Sequence, residues 1–311
     1  MIRRTLRSPY AALVLATTIW GSLHPMSKLA LRELGPIQVA MFRVLLAGLT
    51  LTVIMALRGQ IGEIRHELRV RPATMAGLGL LSFFLSSGSS TAALFYLPAS
   101  VNSLLVNVSP LFVALGLIVL SRGRVHAGVI VGVLVGLIGL IVVVFGENTA
   151  SFGTLALSPP GVALALVSSA TWAAYIALGQ RVMSKSNPHA VVVASSVFGL
   201  IPWLLITGFS GGALALAHLP VTEWLLLLYV GIIGTGLPYL FWTVALTRLS
   251  TATVAVFQYT IPFWAIVFSA LLLGEPITVP LILGGAGIVA GIAITQRAPK
   301  FPEKAGASSR T

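Results

Sequence analysis

Ten mainly apolar stretches follow one another along this chain, at roughly 10–31, 37–57, 74–96, 99–120, 126–146, 161–183, 189–209, 223–247, 252–273 and 278–296. A helix needs about 20 such residues to cross a bilayer core. Backbone groups left unpaired in hydrocarbon are costly, so only elements that satisfy their own backbone can span. The pattern predicts an all-α polytopic membrane protein with ten transmembrane helices. Composition agrees, with 8% charged residues against roughly 25% in soluble domains. Pro98 almost alone separates the third and fourth stretches, which makes them an antiparallel hairpin. No small-residue cleavage site follows the first stretch, so a cleavable signal is not expected. Cysteine is absent, which excludes disulfides, thiolate metal sites and cysteine nucleophiles.

The net charge of +12 is distributed unevenly. With the N-terminus inside, sixteen of the nineteen Lys and Arg fall in inner loops and tails, from Arg3, Arg4 and Arg7 to Arg297, Lys300, Lys304 and Arg310. Lys28 and Arg32 fall outside, and Arg43 lies within a crossing. This bias predicts that both termini are cytoplasmic. The basic charge is therefore a topology signal, and no nucleic-acid partner is expected.

Sliding the sequence against itself by 152 residues brings landmarks together: Trp20 on Trp172, Leu97 on Leu249, Pro110 on Pro262, Gly132 on Gly284 and Gly139 on Gly291. Each copy holds five crossings, and an odd number makes the second copy enter from the opposite side. Two inverted five-helix repeats are expected, a transporter architecture with its substrate site near the midplane between the halves. The segments are a cytoplasmic N-terminus (1–9), a first repeat (10–146), an external linker (147–160), a second repeat (161–297) and a cytoplasmic tail (298–311). A duplication retained only for packing is the competing explanation.

The chain resembles the ten-helix EamA-type carriers of the drug/metabolite transporter superfamily over about residues 10–297. The resemblance rests on Trp20, Gly21 and Lys28, on Leu34, Gly35, Pro36, Phe42 and Arg43, on "YTIPFWAIVFSALLLGEPIT" (259–278) and on the glycine-rich "GGAGIVAGIAI" (284–294). The first half carries Gly123 where the second carries Glu275, so the part played by Glu275 is not duplicated. The resemblance implies small-metabolite transport by alternating access, often amino-acid export, in a multi-pass cell inner-membrane protein.

Candidate site residues follow from polar groups at lipid depth. At 1.5 Å per residue, Trp20 lies near the midplane, His24 about 20 Å in and Lys28 near the outer surface, where its ammonium snorkels as an interface anchor. Pro25 frees a backbone carbonyl near Gly21. His24 shares a face with Trp20 and either hydrogen-bonds within the bundle or touches cargo. Arg43 suits a carboxylate clamp. The recurrence of an Arg here across differing cargos in the resembling family implies instead a structural role, pairing with Glu33 or helix-end carbonyls.

The fourth and ninth crossings are repeat equivalents. Asn107 precedes Pro110 by three residues, as Tyr259 precedes Pro262, with Asn102, Ser103 and Gln258 nearby. Trp172, Tyr175, Tyr239 and Trp242 add aromatic surface, for which core or belt packing is the alternative. The serines of "SSGSST" (86–91) fit either a sliding surface or close packing. Lys28, Arg43, Pro110, Pro262 and Glu275 are expected to be structural or gating. Gly128, Gly132, Gly136, Gly287 and Gly291 have small-xxx-small spacing and predict a packing face between the fifth and tenth crossings.

No Asp occurs, and Glu33, Glu63, Glu67, Glu147, Glu223, Glu275 and Glu303 all map to loops or helix ends. Ion coupling through a carboxylate needs an acid at depth, so facilitated transport is expected, with no metal and no cofactor. The expected protein is a non-enzymatic carrier, probed by a small-molecule partner and the lipid bilayer and acting as a monomer. Its cavity is expected between crossings one, three, four, six, eight and nine, and its cargo among amino acids, aromatic or other apolar ones included. A proton-coupled drug or nucleoside/purine efflux carrier and a channel-like pore are the alternatives. A Ser-His intramembrane enzyme lacks a nucleophile setting.

Overall fold

The computed structural model describes residues 8–120, 126–150, 157–209, 219–246, 248–249 and 257–297. The basic N-terminal arginines, Gly123, much of the 147–160 linker, residues 252–256 of the ninth crossing and the tail from 298 lie outside the described residues.

Ten helices stand where ten crossings are expected: α1 (Pro9–Ala30), α2 (Pro36–Leu57), α3 (Pro72–Tyr96), α4 (Ala99–Val106 continued by Ser109–Leu120), α5 (Ala127–Ala150), α6 (Pro159–Met183), α7 (Pro188–Phe209), α8 (Val221–Ala245), α9 (Thr260–Leu273) and α10 (Val279–Arg297). Among the described residues there is no strand. Eight of these helices have both the length and the hydropathy to cross a membrane. Helix α9 is apolar but 14 residues long as described, and α1 has the length but carries Ser22, His24, Ser27 and Lys28. Leu57, Val119, Phe209 and Leu271 are each 75% exposed or more, as a lipid-facing surface requires.

Local chemistry sets the ends. Proline opens α1, α2, α3, α6 and α7, where its fixed φ suits a helix and its missing N–H has no partner to lose. Gly274, at φ 67°, closes α9 in the left-handed conformation. Between α2 and α3 the loop expected from the sequence contains a short helix, Ile61–Val70, which buries Ile64 and Glu67 against α7. Its ten residues are too few and too charged to register as a crossing.

The halves interlock by exchange: α1 packs on α8 and α9 while α6 packs on α3 and α4, and α2 packs on α8 while α7 packs on α3. The most extensive helix contact joins α5 to α10. A Cβ on Gly132 would lie 2.6 Å from the Gly291 carbonyl, and one on Gly139 would lie 2.6 Å from the Gly284 carbonyl. Since 132 corresponds to 284 and 139 to 291, the two contacts are images of each other across the repeat. A Cβ on Gly287 would lie 3.0 Å from Gly139 Cα, and Gly136 meets Leu111 of α4 as well as Gly291. Gly128 is half-buried in the first turn of α5, one turn before Gly132.

Both α3 and α8 widen into a π-helical segment, at Leu80–Ser86 and Tyr229–Gly236. The two segments overlap under the 152-residue shift. Such widening loosens the backbone ladder, and side chains restore part of it: Trp203 Nε1 donates to the Phe83 carbonyl at 2.9 Å, and Thr235 Oγ1 to the Val230 carbonyl at 2.8 Å. Gly88 leaves the space that the Trp203 ring fills.

Candidate functional site

A cavity of about 110 Å³ opens between the two halves. The π segments bring Ser82, Ser86 and Thr235 to its wall, and the turn after the first segment adds Ser87 and Ser90. Helix α1 contributes Trp20 and His24, α6 contributes Ser168 and Trp172, and α8 contributes Tyr239. Helix α2 contributes Arg43 and Val44, which corrects the expected set of lining crossings by adding the second. Among the described residues no carboxylate lines it.

The proline positions explain one wall. Pro110 and Pro262 cannot accommodate a helical bond from the carbonyl four residues earlier, those of Val106 and Gln258. The α4 chain turns at Asn107 (φ −84°, ψ 6°), and Tyr259 sits in a turn at the equivalent place. Val106, Asn107 and Gln258 all line the cavity. Asn107, Trp172 and Gln258 also border a smaller hollow of about 20 Å³ with Pro110, Tyr259 and Pro262.

Several expected site residues lie behind the wall. Tyr259 borders only the smaller hollow, and its buried hydroxyl has no partner among the described residues. Tyr175 is stacked on Trp172, with centroids 5.0 Å apart, and is buried in the core. Asn102 is fully buried; its amide donates to His24 Nδ1 at 3.1 Å and to the Ser90 carbonyl at 3.3 Å. Both amide hydrogens are thereby used, which leaves Nδ1 of His24 an acceptor and Nε2 the ring's N–H. The aromatic wall is continuous: Trp20 meets Tyr239 edge-on at 5.7 Å, and Trp172 lies 6.5 Å from Tyr239.

Two charged residues hold helix ends. Lys28 does not snorkel outward: its ammonium donates to the Leu94 carbonyl at 3.0 Å and to the Leu97 carbonyl, closing the C-terminal end of α3. Backbone acceptors within reach outcompete extension of the stem toward water. Glu275 closes the start of α4, accepting from the amides of Ala99 at 2.6 Å and Ser100 at 3.0 Å and from the Ser100 hydroxyl at 2.6 Å. The Leu97–Pro98 hairpin is thus held by a cation on one side and a carboxylate on the other, from α1 and from the loop after α9.

Arg43 does not pair with Glu33. Its Nε donates to Thr235 Oγ1 at 3.2 Å, and that is its one hydrogen bond among the described residues. The described ion pair is Arg71 with Glu67, at 3.9 Å, far along the chain. Thr235, Ser82 and Ser168 were not picked out from sequence; only the small-residue runs around them hinted at close approach.

A helical bundle of two exchanged halves around a polar, half-enclosed hollow defines a membrane transporter. Residues 7–145 and 159–297 each match the EamA-like transporter family, and the chain belongs to that family. It is similar to an uncharacterized transporter of Archaeoglobus fulgidus, 27% identical over 93% of this chain and 98% of that one. A probable amino-acid metabolite efflux pump of Salmonella typhimurium is 28% identical over 90% and 92%. A threonine/homoserine exporter of Escherichia coli is 38% identical over 43% of this chain and 45% of its own. A solved crystal structure shares the fold, with a TM-score of 0.62 at 19% identity over 92% of this chain and 96% of that one.

Proposed function

We propose that this transporter exports small metabolites, amino acids foremost, across the cell inner membrane by alternating access, with both termini in the cytoplasm. The observation that carries the reading is the cavity between the repeats, walled by hydroxyls, amides and aromatic faces. Its volume of about 110 Å³ sits below the roughly 300–1,000 Å³ of pockets for drug-sized ligands, which favours small solutes over bulky drugs. Amino acids as cargo draw support from the Salmonella relative's name. The sixteen-to-two bias of basic residues supports the orientation.

The working site comprises Trp20, His24, Asn107, Trp172, Tyr239 and Gln258 at the wall, with Asn102, Tyr175 and Tyr259 behind it. The first repeat (10–146) and the second (161–297) rock about the α5–α10 joint, and a monomer suffices. Among the described residues no carboxylate lines the cavity, which supports gradient-driven transport. Tracer flux of a mixed amino-acid panel in proteoliposomes tests the proposal: flux without any ion gradient is expected. Strict dependence on an imposed proton or sodium gradient overturns the facilitator reading, and absence of flux for every amino acid overturns the cargo.

A further inference from the structure

The cavity holds a guanidinium with nothing opposite it. Arg43 lines the hollow and spends only Nε, on Thr235. Its terminal nitrogens, which offer four N–H donors, have no partner among the described residues. Of the seven acidic residues, Glu33, Glu63, Glu67, Glu223 and Glu275 have described side chains, and none pairs with Arg43. A charge at membrane depth is costly unless it is paired or wet, and it faces a bundle interior or a cavity. Here it faces the cavity, and no described residue of the wall supplies a counter-ion.

Nearby donors point the same way. The Asn102 amide fixes His24 with Nδ1 as acceptor, so the ring's N–H is on Nε2 and His24 lines the same hollow. Arg43 is close enough to His24 and to Tyr239 for electrostatic interaction with both. Ser87 lines the wall with an unpartnered hydroxyl. Fixed positive charge with hydroxyl donors and no acid makes a seat for an anion and repels a lone amine. A carboxylate matches the guanidinium fork with two parallel hydrogen bonds.

We infer that Arg43 is a specificity-determining residue that binds the carboxylate of the transported solute, in a seat completed by His24. This rests on the proposed transport reading and narrows it to carboxylate-bearing solutes. An ammonium on the same solute has the faces of Trp20, Trp172 and Tyr239 available, so a small zwitterion fits, whereas a cationic amine without a carboxylate does not.

The test uses purified full-length protein and two matched sets of probes. The first set is L-threonine, 3-hydroxybutyrate, which lacks the amine, and 1-amino-2-propanol, which lacks the carboxylate. The second is L-phenylalanine, 3-phenylpropionate and phenethylamine. Tryptophan fluorescence reports binding, since Trp20 and Trp172 line the cavity, and counterflow in proteoliposomes reports transport. Within at least one set the carboxylate-bearing probes are expected to bind about ten- to a hundredfold more tightly than the amine, the range for a charged hydrogen-bonded pair. Arg43→Gln removes that preference and Arg43→Lys retains part of it, with both variants monodisperse in detergent.

Carboxylate binding without amino-acid binding leaves the seat standing and sinks the amino-acid reading. The inference is overturned if the amines bind as well as the acids, if no carboxylate probe binds, or if Arg43→Gln keeps the acid-over-amine preference. A merely structural Arg43 would weaken all probes alike, which also overturns it.

Discussion

The α5–α10 joint and the cavity wall both draw on small residues, yet they use them in different ways. In the joint, Gly132, Gly139, Gly284, Gly287 and Gly291 let two backbones approach until carbonyl meets Cα. Dispersion is the attraction available between helices in lipid, and close backbones maximise it. Around the cavity, Ser82, Ser86, Ser87, Ser90 and Ser168 bring hydroxyls to the wall, and Ser86 and Ser168 tie α3 to α6 by hydrogen bonds rather than by bare backbone contact. In the joint the Thr295 hydroxyl beside Gly132 is spent on the Gly291 carbonyl, whereas the wall turns hydroxyls, amides and aromatic faces to the hollow. A carrier needs both: a seam that stays put and a hollow whose lining can rearrange.

The seam is the place to break this contrast hardest. Gly291→Leu drives a side chain into the backbones of Gly132 and Gly136, where nothing can yield. Overpacking of this kind costs on the order of 1–3 kcal/mol or more. A lowered thermal midpoint and a sharply reduced monodisperse yield are expected, while wild-type behaviour would show that α5 and α10 part easily.

Glu275→Ala is expected to come next. It removes the carboxylate that caps three donors at the start of α4, and loss of such a helix cap costs about 0.5–2 kcal/mol. Thermal unfolding of the purified variant should show it, with Lys28→Met lowering stability by less because the carbonyls it caps can turn to water. Asn107→Ala removes a wall amide that also donates to the Ser103 carbonyl at 2.8 Å: flux falls about two- to tenfold, the range for one hydrogen bond, with only a small fall in thermal midpoint. Tyr259→Phe is the smallest change, since its hydroxyl has no partner among the described residues and sits off the main cavity. Flux within about twofold of wild type is expected, and stability equal or slightly higher because a buried unsatisfied group is removed. A strong flux defect in this variant would bring Tyr259 back to the wall.

Much of the seam was legible in the sequence, because hydropathy windows and a constant 152-residue offset report length and duplication directly. Crossing ends agree closely with the helices wherever a proline opens them. Less of the wall could be read. Trp20, His24, Asn107 and Gln258 stood out as polar or aromatic groups at depth, but whether a residue faces the hollow or lies one layer behind it depends on rotation about the helix axis. That rotation separates Trp172 from Tyr175 and His24 from Asn102. It is altered locally by the π segments, which leave no composition signal. Lys28 was misplaced for a related reason: its acceptors are the Leu94 and Leu97 carbonyls, 66 and 69 residues away, and nothing near Lys28 announces them.

The widened turns in α3 and α8 carry one consequence of their own. A π segment amounts to an α-helix with a residue inserted, so losing one residue between Leu80 and Ser86 would let the helix heal into regular form. Because the wider turn already absorbs the extra residue, the helix on either side would keep its facing, and the change would fall inside the segment: Ser82 and Ser86 would be re-aimed, and the Phe83 carbonyl that Trp203 caps would return to the backbone ladder. One codon thus stands between the present lining and a locally different one on the same scaffold.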